Sequence, residues 1–159
     1  MRKSMIILLV IVMVLPVMLS SKPTKKKPAN EVLTWMTDFE QAKSMAKEHK
    51  VPILIDFTGS DWCIWCKRLS NEVFEQKAFT DYAKKNLVLL KIDFPRALPQ
   101  SDALKKQNRT MAQQYNIEGY PTIILVDANG KEINRTGYQP GGAENYVNHI
   151  KLLLGKQTK

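Results

Sequence analysis

The sequence predicts an α/β domain: a mixed β-sheet flanked by helices on both faces. Two short runs of branched apolar residues, VPILIDF at 51–57 and LVLLKIDF at 87–94, have the character of strands buried on both sides. The stretch TIILVDANGKEINRTGY at 122–138 holds two strand-like runs joined through Ala128, Asn129 and Gly130, a hairpin signal. Segments with helical apolar spacing lie before, between and after these strands. Strands that alternate with helices and then end in a hairpin imply a mixed sheet covered on both faces.

Taken in order, the chain begins with MRKSMIILLVIVMVLPVMLSS, a basic start, an apolar run from Met5 to Leu19 and then small residues. That is the layout of a secretory signal peptide over 1–21. The run is short against the roughly 20 residues needed to span a bilayer. An uncleaved membrane anchor is the alternative. Residues 22–31 are rich in Pro and Lys, lack apolar periodicity and read as a flexible basic linker. The folded domain is expected over 32–159, with VLTWM at 32–36 as a candidate first strand.

The formal charge is +9, but Arg2, Lys3, Lys22, Lys25, Lys26 and Lys27 precede residue 32. From Val32 onward 18 basic residues stand against 14 acidic ones. Most of the surplus is therefore in the leader and linker rather than on a folded face, which excludes a nucleic-acid-binding protein as the reading.

A capping box from Thr37 to Glu40 opens a helix of about three turns with Phe39, Ala42, Met45 and Ala46 on its apolar face. After the first strand comes FTGSDWCIWCKRL at 57–69, then NEVFEQKAFTDYAKKN at 71–86 with intermittent helical contacts from Val73, Phe74, Phe79, Tyr82 and Ala83. The second strand is followed by the loop PRALPQS at 95–101. A helix then opens with Asp102 as its cap and carries Leu104, Met111 and Tyr115. The segment from Pro95 to Arg109 is long enough to shape a partner surface. Beyond the hairpin, Tyr146, Val147, Ile150, Leu153 and Leu154 mark a last helix.

Cys63 and Cys66 are the only cysteines. A closed zinc site needs four ligands, and neither a third cysteine nor ligand-like spacing of His49 and His149 supplies them. As a staple, so short a loop would restrict the unfolded chain very little. The redox reading has a mechanism. A strand ending at Phe57, a turn through Thr58 to Asp61 and a helix from about Trp62 put Cys63 in the first helical turn, where free N–H groups and the helix dipole stabilise a thiolate. Cys66 lies one turn further in, less exposed and within disulfide reach. Asp61 opposes the thiolate, and Lys67 and Arg68 offset it in part. The sequons at Asn108 and Asn134 are treated as chance matches.

IDFTGSDWCIWCK at 55–67 resembles the active-site stretch of the thioredoxin superfamily. EGYPTIILVDANGK at 118–131 resembles its second signature, a cis-proline loop that leads into a hairpin. The element order from Val32 to Leu154 agrees, and G-S-D-W-C-x-W-C behind a leader is similar to exported Dsb-type oxidoreductases. The resemblance implies a thioredoxin-like sheet, with Cys63 as nucleophile, Cys66 as resolving thiol and Asp56 as the buried aspartate that helps Cys66 lose its proton. It implies Trp62, Trp65, Tyr120 and Pro121 as client contacts, with Pro121 in cis and facing the disulfide. The family's strand lysine aligns at Leu89, with Lys91 two places on. One residue more than in thioredoxin separates Asp56 from Cys63.

The implied activity is thiol-disulfide exchange on exported proteins, with no cofactor and no metal, by a monomer in the periplasm or another exported compartment, anchored if the leader stays. Ile64 and Trp65 lack the histidine of strongly oxidising members, which leans the pair toward a reductase. A reductase outside the cytosol needs a membrane thiol-electron transporter. The alternatives are an oxidase or isomerase, and a non-enzymatic module for binding or metal delivery.

Overall fold

The computed structural model describes residues 33–155. The leader and linker expected at 1–21 and 22–31 lie outside the described residues. The order is α1 (Phe39–His49), β1 (Ile53–Thr58), α2 (Ile64–Leu69), a π-helical turn (Ser70–Phe74), α3 (Lys77–Asn86), β2 (Val88–Asp93), α4 (Asp102–Gln114), β3 (Thr122–Val126), β4 (Glu132–Thr136) and α5 (Gly142–Gly155). The sheet runs β2-β1-β3-β4, with β1 parallel to β2 and the remaining pairs antiparallel. This is the mixed sheet that the sequence predicts.

Alternation along the strands divides the core. Ile53, Ile55 and Phe57 of β1 join Leu90 and Ile92 of β2 on the face that packs against Phe39, Ala42 and Ala46 of α1 and Met111 of α4. Leu54 and Leu89 point the other way, toward Leu69, Phe79, Ala83, Tyr146 and Ile150 of α2, α3 and α5. Each fully buried Leu, Ile or Phe contributes about 1.5–3 kcal/mol by leaving water. Because both faces are covered, the inner strands are apolar at nearly every position. The one carboxylate buried within β1 is Asp56, on the same face as Leu54.

Several boundaries differ from the sequence reading. The cap of α1 is Asp38, whose Oδ1 accepts from Gln41 N at 2.9 Å, while the Thr37 carbonyl accepts from Gln107 Nε2. Thr37 and Asp38 are both cap formers one residue apart, and the Asp38 carboxylate takes the role. Ser101, not Asp102, caps α4 by accepting from Leu104 N, which leaves Asp102 as a favourable charge in the first turn. Of the stretch VLTWM, the described residues 33–36 form a bridge from Met36 to Leu90 rather than a strand, with Met36 N donating to Leu89 O at 2.9 Å along the edge of β2. The segment after the cysteines is broken, because Glu75 N reaches back to Ser70 O at 2.9 Å and the extra residue per turn shifts the apolar face before α3 begins. The hairpin is closed by Asp127, whose Oδ1 accepts from Asn129 N and Lys131 N, and by Gly130 at φ 87°.

Candidate active site

The end of β1 aims the chain at the site. Beyond Thr58 the backbone folds over Gly59, whose carbonyl accepts from Trp62 N at 3.2 Å and Cys63 N at 2.8 Å. A Cβ on Gly59 would lie 2.4 Å from Trp62 Cε2, so only glycine lets the indole rest on this loop. Cys63 is the N-cap of α2, one residue before the helix, and its Sγ accepts from Cys66 N at 3.2 Å. Sulfur thus takes the place that a serine or aspartate oxygen takes at an ordinary helix start. The Cys63–Cys66 disulfide is formed, with Cα atoms 5.3 Å apart. The sequence reading expects Cys66 to be the less exposed of the two. In the disulfide each is 6% exposed, because the Cys63 side chain turns in to cap the helix.

Three attachments fasten this loop to the residues after β2. Ser60 donates from N and Oγ to the Asp93 carboxylate at 2.9 and 2.6 Å. Asp61 accepts from Arg96 N at 3.0 Å and from Ala97 N at 2.7 Å, and these N–H groups hold its carboxyl below the ordinary range. Trp62 Nε1 donates to Phe94 O at 2.8 Å. Asp61, read from the sequence as a charge opposing the thiolate, is thus engaged by the backbone of the β2–α4 loop.

Two exposed aromatic posts flank the cysteines. Trp62 is 36% exposed, packs edge-on against Tyr120 at 5.8 Å and carries the Arg96 guanidinium 4.2 Å above its ring. The Tyr120-Pro121 bond is cis, as the second signature implies. Trp65 is 50% exposed and lies 5.4 Å from Tyr138, with Arg68 over both rings. Glu72 accepts from Arg68 Nε and Tyr138 Oη, each at 2.6 Å, which holds Glu72 below the ordinary carboxylate range. Arg96 and Tyr138 are absent from the sequence reading. Each comes from a loop whose spacing carries no signal for the cysteines.

Behind the disulfide, a cavity of about 310 Å³ is lined by Trp35, Asp56, Thr58, Ser60, Cys66 and Lys91 among others. Strand register puts Asp56 opposite Lys91, whereas Leu89 pairs with Leu54 in the core. The cation facing Asp56 is therefore Lys91, a correction to the alignment at Leu89. Asp56 Oδ1 is buried with no hydrogen-bond partner among the described residues. Burial pushes Asp56 from 3.8 up to about 7, with Lys91 opposing and Asp93 adding to the rise.

This geometry, a disulfide capping a helix with a cavity to a buried carboxyl behind it and a cis Tyr120-Pro121 bond whose tyrosine packs on Trp62, agrees with comparison to known proteins. Residues 39–150 match the family described as a thioredoxin-like domain. The chain belongs to this family. Among thioredoxin-like relatives, the disulfide bond reductase DsbH of Chlamydia pneumoniae is 34% identical over 77% of this chain and 73% of its own length. The thioredoxin-related protein DsbJ of the same organism is 28% identical, and this chain spans 34% of its length. A solved DsbH oxidoreductase structure superposes with TM-score 0.75 at 30% identity, covering 85% of this chain and 95% of that one. A thioredoxin from Thermus thermophilus, TM-score 0.58 at 14% identity, shares the fold. With Cys63–Cys66 as its redox disulfide, the chain is a protein thiol-disulfide oxidoreductase.

Proposed function

We propose that the protein is a disulfide reductase of exported proteins, with residues 1–21 as its export leader and 22–31 as the linker to the domain. The observation that carries the site assignment is the Cys63 Sγ at the start of α2, where it accepts from Cys66 N. In the reduced protein the same N–H and the helix dipole favour a Cys63 thiolate. That thiolate attacks one sulfur of a client disulfide, the S–S bond breaks, and the other client sulfur leaves as a thiolate and takes a proton. Cys66 then gives its proton to the Asp56 carboxylate and attacks Cys63 Sγ, which releases the second client thiol. Two electrons pass to the client and the Cys63–Cys66 disulfide remains. A carboxyl near 7 is a stronger base than an ordinary aspartate and is about half ionised at neutral pH. Trp62, Trp65, Tyr120 and Pro121 contact the client around the sulfurs.

The direction rests on what lies between the cysteines. Ile64 is 72% exposed and has no polar side-chain atom, and Trp65 is 50% exposed with no hydrogen bond from its indole N–H to either cysteine sulfur. A strong oxidant needs a reduced form stabilised well beyond this. A reductase in an oxidising compartment must itself be reduced again, and a membrane thiol-electron transporter is the partner that this requires. Redox titration against glutathione tests the direction. The expected potential lies below about −200 mV, and one above about −180 mV makes the protein an oxidase or isomerase instead. Failure to catalyse insulin reduction by dithiothreitol would leave a binding module.

A further inference from the structure

The two aromatic posts differ in charge. At the Trp65 post, Arg68 is neutralised by Glu72, in a salt bridge at 2.6 Å. At the Trp62 post, Arg96 is exposed and stacked on the indole, and it makes no ion pair among the described residues. The nearby Asp61 carboxylate is occupied by the Arg96 and Ala97 backbone N–H groups. Lys67, at the second position between Trp65 and the end of α2, spends a donor on the Asp61 carbonyl at 2.8 Å and also lacks a carboxylate partner. Arg96 and Lys67 therefore stand beside the cysteine pair without an ion pair among the described residues, around an Asp61 carboxylate that stays charged while the backbone of the β2–α4 loop holds it, and Arg96 is stacked on the indole that precedes Cys63. The Arg96 position is itself fixed: Asp61 holds its backbone, and the Trp62 indole beneath it is bonded to Phe94 O.

From this asymmetry we infer that the exposed surface around Trp62 and Arg96 selects client segments with a carboxylate next to the reacting cystine. The inference rests on the oxidoreductase reading above and names the substrate class of that same site: an extended acidic polypeptide segment. The apolar faces of Trp62, Ile64 and Leu98, all exposed, give contact to any client. Arg96 adds discrimination, because a guanidinium already stacked on a ring loses little freedom when it meets a carboxylate. An acidic client gains an attraction, and a basic one meets the matching repulsion.

The test uses two symmetric peptide disulfides, identical except that Asp or Lys flanks each cysteine. Each is reduced in a single turnover by the fully reduced protein, and each rate is divided by the rate with uncharged dithiothreitol to remove intrinsic reactivity. The expected preference for the Asp peptide is on the order of tenfold at low salt, the scale of one exposed attraction plus one exposed repulsion. It should collapse toward unity at about 1 M salt, where the Debye length is about 3 Å. The preference should fall at least threefold in Arg96→Gln and survive in Arg96→Lys. Lys131→Gln, in the hairpin turn, controls for net charge and should leave it unchanged. Equal rates in the wild type, a preference retained in Arg96→Gln, or an equal fall in Lys131→Gln would overturn the inference. A protein that reduces neither peptide would overturn the oxidoreductase reading instead.

Discussion

Replacing Asp56 by Asn should stabilise the oxidised protein at pH 8 and remove most of a stability slope between pH 4 and 7. The folded state raises Asp56 from 3.8 to about 7, chiefly because its carboxyl is buried. Between these values the native state keeps a proton that the unfolded chain releases. Stability then falls as pH rises, since its slope follows the protons bound by the unfolded state minus those bound by the native state. The contribution is fully present below about 3.8 and is lost by about 7. A gap of about 3 units at 1.36 kcal/mol each makes the total loss about 4 kcal/mol.

Asn cannot ionise, so it avoids this loss. It also leaves an amide with no evident partner beside an Oδ1 that already has none, at a cost of about 1–3 kcal/mol. The expected result is a variant about 1–3 kcal/mol more stable at pH 8 and equal or less stable at pH 4. Urea unfolding of both oxidised proteins across this range measures it, with the disulfide intact so that no thiol titrates. Other carboxylates titrate in both proteins and cancel in the difference. A difference that stays constant from pH 4 to 8 would show that Asp56 ionises as an ordinary aspartate, and the burial argument would fail.

Three further outcomes are expected. Brief iodoacetamide treatment of the reduced protein at neutral pH should label Cys63 before Cys66 by mass spectrometry, since Cys63 has the helix start; the opposite order would exchange their roles. Gly59→Ala should push the Trp62 indole off the loop, because the new Cβ would lie 2.4 Å from Cε2. The Nε1–H resonance of Trp62 should then lose its protection from exchange, and an unchanged resonance would refute the contact. N-terminal sequencing of the exported protein should find a start near residue 20–22, whereas Met1 in a membrane fraction would identify an anchor.

The strands were legible because burial on both faces leaves an unmistakable run of branched apolar residues: Val88–Asp93 lies within its predicted stretch, and Ile53–Thr58 runs one residue past the predicted end at Phe57. The helix starts were less so. Thr37 and Asp38, like Ser101 and Asp102, are adjacent cap formers, and side-chain reach to one N–H decides between them. The break at Ser70–Phe74 was illegible, since a π turn shifts the apolar face by one residue without any glycine or proline to announce it.

At the site, local and long-range features separate cleanly. The cysteine pair, its place at a helix start and Asp56 are local to one strand-loop-helix unit, so thirteen consecutive residues carry them. Lys91 depends on register between two strands and needed only the pairing of Asp56 with its neighbour on β2 to be found. Arg96 had no such guide. It reaches Trp62 because three separate side chains, Ser60, Asp61 and Trp62, bond to residues 93–97. Each of those bonds joins positions more than thirty residues apart, and no periodicity links them. The loop that the sequence marked as long enough to shape a partner surface is thus tied to the active-site turn through Asp93, Phe94, Arg96 and Ala97. A loop held this firmly presents Arg96 as a fixed charge beside the cysteines, and a fixed charge can discriminate between clients.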